Sequence, residues 1–145
     1  MSTATTHKGY TAAIASSLTT ELNSLANAGT SSASAAIDNT TNLDLFHDLT
    51  LTVATQGSAR SAGAVVSVYM VMALDGTNYD DVVAGNAELM AVFPLDAATT
   101  ARQQTRRDVP LPPGLFKYFV VNSTGQAFAS SGNILEIRAH SVLST

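Results

Sequence analysis

The chain has 145 residues, 46% of them hydrophobic and only 12% charged, with a formal net charge of −4 and no cysteine. That length holds one domain with a real core, and a charged share about half the usual leaves Ser, Thr, Asn and Gln to clothe the surface, which suits a molecule covered by neighbours. The negative balance argues against the broad basic field of a nucleic-acid binder. The lack of thiols excludes disulfides and cysteine chemistry, and no run of about 18 apolar residues offers a membrane span.

Residues 1–43 form a block of Ala, Ser, Thr and Asn in which Lys8, Glu21 and Asp38 are the charged side chains. Ile14, Leu18, Leu22 and Leu25 recur at i, i+4, i+8 and i+11, a spacing that predicts one apolar face of a helix ending near Gly29. The start of the block lacks a basic stretch followed by a continuous apolar one, so no secretion signal is expected. Past the helix the block reads as an extended arm.

From Asp44 the period changes to two. In "DLFHDLTLTVAT", Leu45, His47, Leu49, Leu51 and Val53 share one face, as in a strand with one dry side. After the turn "QGSARSAG", residues 64–74 are apolar on both faces and read as a central strand. "DGTNYDDVVAGN" is a loop, and "ELMAVFPL" a strand that Pro94 marks as an edge or an end. "ATTARQQTRRDVPL" reads as an exposed strand or extended loop. "LPPG" is a turn, and "LFKYFVVN" a strand with Phe116, Tyr118 and Val120 on one face. "STGQAFASSGN" supplies turn, short strand and turn before the last strand, "ILEIRAHSVL". Short strands at intervals of roughly ten residues predict an all-β fold over 44–145: an antiparallel, jelly-roll-like β-sandwich carrying the N-terminal helix and arm of 1–43.

The succession "LNSLANAG", "AIDNTTNLDLFHDLTLTV", "VYMVMALDGTNYDD", "LPPGLFKYFVVNSTGQAF" and "GNILEIRA" resembles small virion proteins of tailed bacteriophages, head decoration (cement) proteins in particular. The combination "DNTTN", "DGTNY", "LP" and "NSTGQA" is its most specific part. The resemblance implies a β-sandwich that sits on the capsid lattice, with the major capsid protein as partner, a homo-oligomer with a trimer favoured, and a place in the virion. It carries no catalytic residue across. Where an aromatic such as Trp is expected near "LPPGLFKYF", this chain has Leu115 and Phe116.

Candidate partner-binding residues follow from two patterns. The helix face of Ile14, Leu18, Leu22 and Leu25 cannot offset the cost of ordering its backbone alone and needs a surface, either its own sandwich or a neighbouring subunit. Arg102 and Arg106 fall on one face of an extended segment with Arg107 opposite, fit either to protect a sheet edge or to pair with acidic groups on a capsid subunit. Asp75, Asn78, Asp80 and Asp81 gather oxygens in one loop, but their spacing departs from an EF-hand and suits a tight turn. His7, His47 and His140 are scattered, and no nucleophile, metal-ligand or phosphate-loop motif accompanies them, so neither catalysis nor a cofactor is expected. The alternative reading is a receptor- or glycan-binding module of a fibre. It calls for exposed aromatics, and of Tyr10, Tyr69, Tyr79 and Tyr118 only Tyr79 sits plainly in a loop.

Overall fold

Alternating side chains build the molecule. In the computed structural model, which describes residues 5–7, 9–10 and 13–144, ten strands succeed one another. They are β1 (Thr5–His7), β2 (Ala15–Leu18), β3 (Ile37–Asp38), β4 (Phe46–Val53), β5 (Val65–Ala73), β6 (Glu88–Pro94), β7 (Arg102–Pro110), β8 (Leu115–Ser123), β9 (Ile134–His140) and β10 (Val142–Ser144). Every pairing is antiparallel. Two four-stranded sheets, in the orders β2-β9-β4-β7 and β3-β8-β5-β6, face each other as a jelly-roll-like β-sandwich, and β1 pairs with β10.

The inward residues of β4 are His47, Leu49, Leu51 and Val53, and those of β8 are Phe116, Tyr118 and Val120, as the period of two requires. They meet Val66, Val68 and Met70 of β5, Ala91 and Phe93 of β6, and Leu135 of β9 in one core. β5 lies between β8 and β6, a central strand in keeping with its apolar composition. β6, with Pro94 at its end, and β7, with its arginines, lie at sheet edges. Residues 126–129 form no strand; Phe128 enters the core from a loop.

The helix expected over Ile14 to Leu25 is not present. Residues Ala15–Leu18 are β2, paired with β9, and a single 3-10 turn, Thr20–Leu22, is the one helical segment among the described residues. A strand followed by a tight turn also brings leucines four apart to one side: Leu18 and Leu22 are fully buried and Leu25 packs against them. The free edge of β9 offered this segment a ladder of backbone hydrogen bonds, and that tertiary gain outweighed a weak helical periodicity.

The boundary expected at residue 43 is likewise no boundary in packing, because β2 and β3 belong to the two sheets. Between them, residues 24–34 lie along β8. Ala28 donates its N–H to the Asn122 carbonyl, Ser31 to that of Val120 and Ser34 to that of Tyr118. Asn122, fully buried, clamps this strap by donating through Nδ2 to the carbonyls of Leu25, Ala26 and Gln126.

Candidate functional site

The outer face of the β2-β9-β4-β7 sheet carries the polar half of each alternation. Register sets Glu136 of β9, Thr50 of β4 and Thr105 of β7 in one row, with Thr50 and Thr105 hydroxyls 2.9 Å apart. The next row holds Arg138 opposite Asp48. At Asp48 the pairing with β7 shifts, because Arg107 and Asp108 together occupy the space facing one residue of β4. Alternation places Arg107 on this face, and the bulge adds Asp108 beside it, held at φ 55.

Tyr10 closes one side of the resulting trough, a shallow hollow of about 200 Å³. Its hydroxyl donates to Asp48 Oδ2 at 2.7 Å, and the Arg138 guanidinium lies 3.9 Å above its ring. Ile14, exposed, adds an apolar patch beside it. The Asp48 carboxylate that accepts this bond pushes the Tyr10 phenol above its ordinary range. Burial acts to raise the Asp48 carboxyl itself, but bonds from Tyr10 and the Asp108 N–H, with the His140 ring close by, outweigh burial and hold it below the usual carboxylate value. The trough therefore presents a fixed anion at Asp48, cations at Arg107 and Arg138, and two hydroxyls on a rigid sheet.

The other residues singled out in the sequence are dispersed. Leu18 and Leu22 are spent in the core and cannot meet a partner, Leu25 is largely packed, and Ile14 alone of that set is exposed. Arg102 pairs with Asp96 through Nε and Nη2, and Arg106 donates to the Val92 carbonyl at 2.9 Å while lying over the Phe93 ring. Both thus tie β7 to the β6 side of the sandwich, whereas Arg107 faces the trough. Asp75 accepts from the N–H groups of Thr77 and Asn78 and from Asn78 Nδ2, so its oxygens serve its own turn. Lys117 sits over Tyr79 at 4.0 Å. The side chain of His7 lies outside the described residues. His47 and His140 are separated by function: His47 faces the core, where Tyr118 holds it, and His140 lies beside Asp48 and Asp108.

Two features escaped the sequence. Tyr10 sits in the alanine and threonine block, and nothing local indicates that it reaches β4. Arg60, within a stretch that reads as a plain turn, is buried and bonds the Asp96 carbonyl and carboxylate, Gln56 Oε1 and the Thr100 carbonyl. An arginine amid small residues was the only available hint.

No known family profile matches the chain, and no curated protein matches it. Among solved structures it is similar to the CBM36-1 domain of a multidomain xylanase from the hindgut metagenome of Trinervitermes trinervoides, at 15% identity and a TM-score of 0.48 over 95% of this chain and 96% of that one. A family 35 carbohydrate binding module from an environmental isolate matches at 18% identity and a TM-score of 0.43, over 96% of this chain and 82% of that one. At this distance the likeness is one of sandwich layout.

Proposed function

We propose that the protein is a non-catalytic recognition module that binds glycan on the outer face of the β2-β9-β4-β7 sheet. The observation that carries this reading is the trough itself. Vicinal sugar hydroxyls need donors and acceptors a few ångströms apart, and the sheet alternates Glu136, Thr50 and Thr105 with Asp48, Arg138 and Arg107. The edge of Tyr10 and the side chain of Ile14 supply apolar surface for the C–H face of a ring.

Binding fits this geometry better than hydrolysis. The trough is a shallow, open face and not a cleft that shuts out water, and the bonds at Asp48 keep it a fixed, ionised acceptor. Shallow open sites bind weakly one at a time and strongly in arrays. A glycan array followed by calorimetry tests the reading. Wild type should bind, and Glu136→Ala and Arg107→Ala should each lose binding while melting as wild type does. Absence of binding to every glycan class would refute it.

A second reading, attachment as a homo-oligomer to a phage shell through the major capsid protein, is favoured by a different surface. Leu74 at 97% exposure, Val83 and Leu89 lie bare around the β5-β6 connection. Apolar side chains of that size, unshielded on a chain with few charges, suit burial against a protein neighbour. Co-sedimentation with capsids, lost on substituting Leu74 and Val83 with Ser, tests it.

A further inference from the structure

We infer that Asp48, Asp108 and His140 form a binding site for one divalent transition-metal ion, zinc being the best fit. The site arises from three strands. His140 closes β9 opposite Phe46, Asp48 lies two residues along β4 on the same face, and the β7 bulge brings Asp108 across. His140 is only 6% exposed, and its Nε2 stands 3.4 Å from Asp48 Oδ1 and 3.3 Å from Asp108 Oδ1. One ligand atom from each residue fits within a span of 4.8 Å.

Those separations distinguish two arrangements. A charge-assisted N–H to carboxylate bond closes to about 2.7–2.9 Å. Ligands about 2.0–2.1 Å from a tetrahedral zinc ion stand roughly 3.3–3.4 Å from one another. His140 Nε2 stands at the second kind of separation from both carboxylates.

A nitrogen ligand among two oxygens disfavours calcium and magnesium, which take oxygen sets. Two carboxylates with a neutral imidazole neutralise the ion, and Asp108, exposed where the other two are buried, leaves an open side for water as fourth ligand and for entry. The surroundings orient the ligands. Tyr10 bonds Asp48 Oδ2, the Asp108 N–H bonds Asp48 Oδ1 at 3.1 Å, and Phe46 stacks on the His140 ring. Arg138 is engaged over Tyr10. Bound metal would staple β4, β7 and β9 in a chain that has no disulfide.

The test uses the full chain stripped with chelator. Calorimetry with zinc chloride should show one site, the melting temperature should rise with zinc and not with calcium or magnesium, and cobalt substitution should give the intense visible bands of tetrahedral coordination. Asp108→Asn, at an exposed position that spares folding, should weaken zinc by more than roughly tenfold, as should His140→Gln, and Tyr10→Phe by roughly tenfold to a hundredfold or less. Glu136→Ala, one row away from the ligands, should lose glycan but bind zinc as wild type does, so the two outcomes are distinguishable. No heat with zinc, or equal affinity in wild type, Asp108→Asn and His140→Gln, overturns the site in favour of an imidazolium bridging two carboxylates.

Discussion

Lowering the pH should destabilise the fold through a single buried imidazole. His47 is 1% exposed, its ring is stacked on Tyr118, and its Nε2 lies 2.6 Å from the Tyr118 hydroxyl. Nδ1 has no hydrogen-bond partner among the described residues, although the Val109 carbonyl is near enough to exert a pull. Burial lowers the His47 pKa from 6.5 to about 4, while Val109 and Asp48 oppose the drop only in part. Burial also pushes the Tyr118 phenol far above its ordinary range, so the pair is neutral at pH 7.

The folded value is the lower one, so between pH 6.5 and 4 the unfolded chain takes up a proton that the native chain refuses. Stability conferred by the neutral imidazole is full above pH 6.5 and falls as pH drops, by about 1.4 kcal/mol per unit, until the native ring also titrates. The total is about 3 kcal/mol, a large share of the stability of a domain this size. Urea unfolding followed by circular dichroism between pH 7.5 and 4, with chelator present, measures it. His47→Gln keeps a polar partner for Tyr118 without a titrating group. It should be less stable at pH 7 yet lose about 3 kcal/mol less than wild type on acidification. Parallel stability curves for the two proteins, or a native His47 titrating near 6.5 by NMR, would refute the reasoning.

Three further outcomes are expected. Arg60→Ala removes a fully buried guanidinium and strands Gln56 Oε1 and the Thr100 carbonyl, and should cost about 3–5 kcal/mol in urea unfolding. Deleting residues 1–40 removes Leu18 and Leu22 from the core together with β2 and β3, and should cost at least about 3–6 kcal/mol from the two leucines alone, read as loss of a cooperative melt. Ser31→Ala with Ser34→Ala leaves the N–H groups of Val120 and Tyr118 without acceptors. That should cost about 1–3 kcal/mol for each group and speed amide exchange at both.

Much of the sandwich was legible because each strand carries its own period. The alternation of His47, Leu49, Leu51 and Val53 and that of Phe116, Tyr118 and Val120 predict which face is dry, and Pro94 and the arginines of β7 mark edges. The trough was legible only in pieces. "ILEIRAH" and "TLT" declare outward Glu136, Arg138 and Thr50, but only register sets them side by side. The grouping of Asp48, Asp108 and His140 depends on a bulge that no local signal announces, since Asp108 at positive φ follows two arginines in an otherwise regular polar strand. Tyr10 joins that group across 38 residues of sequence.

The strap of residues 24–34 presents the opposite case, in which composition was informative but its meaning depended on a neighbour. A weakly hydrophobic run of Ser, Ala and Thr cannot stay ordered by burying apolar area, which is why it reads as needing a surface to lie on, its own sandwich or a neighbour. Along β8 it is ordered by other means. Ser31 Oγ accepts the Val120 N–H at 2.9 Å and donates to the Ser32 carbonyl; Ser34 Oγ accepts the Tyr118 N–H at 3.0 Å and donates to the Ala35 carbonyl. Each hydroxyl stands where a paired strand would place a carbonyl, so three residues of strap span two residues of strand while every N–H on that edge is satisfied. Small side chains are required for so close an approach, and hydroxyls are required because the strap is out of step with the ladder. The serines and alanines therefore seal the edge of β8 within the chain itself, and surface for a partner has to come from elsewhere, from the trough or from the apolar tip at Leu74.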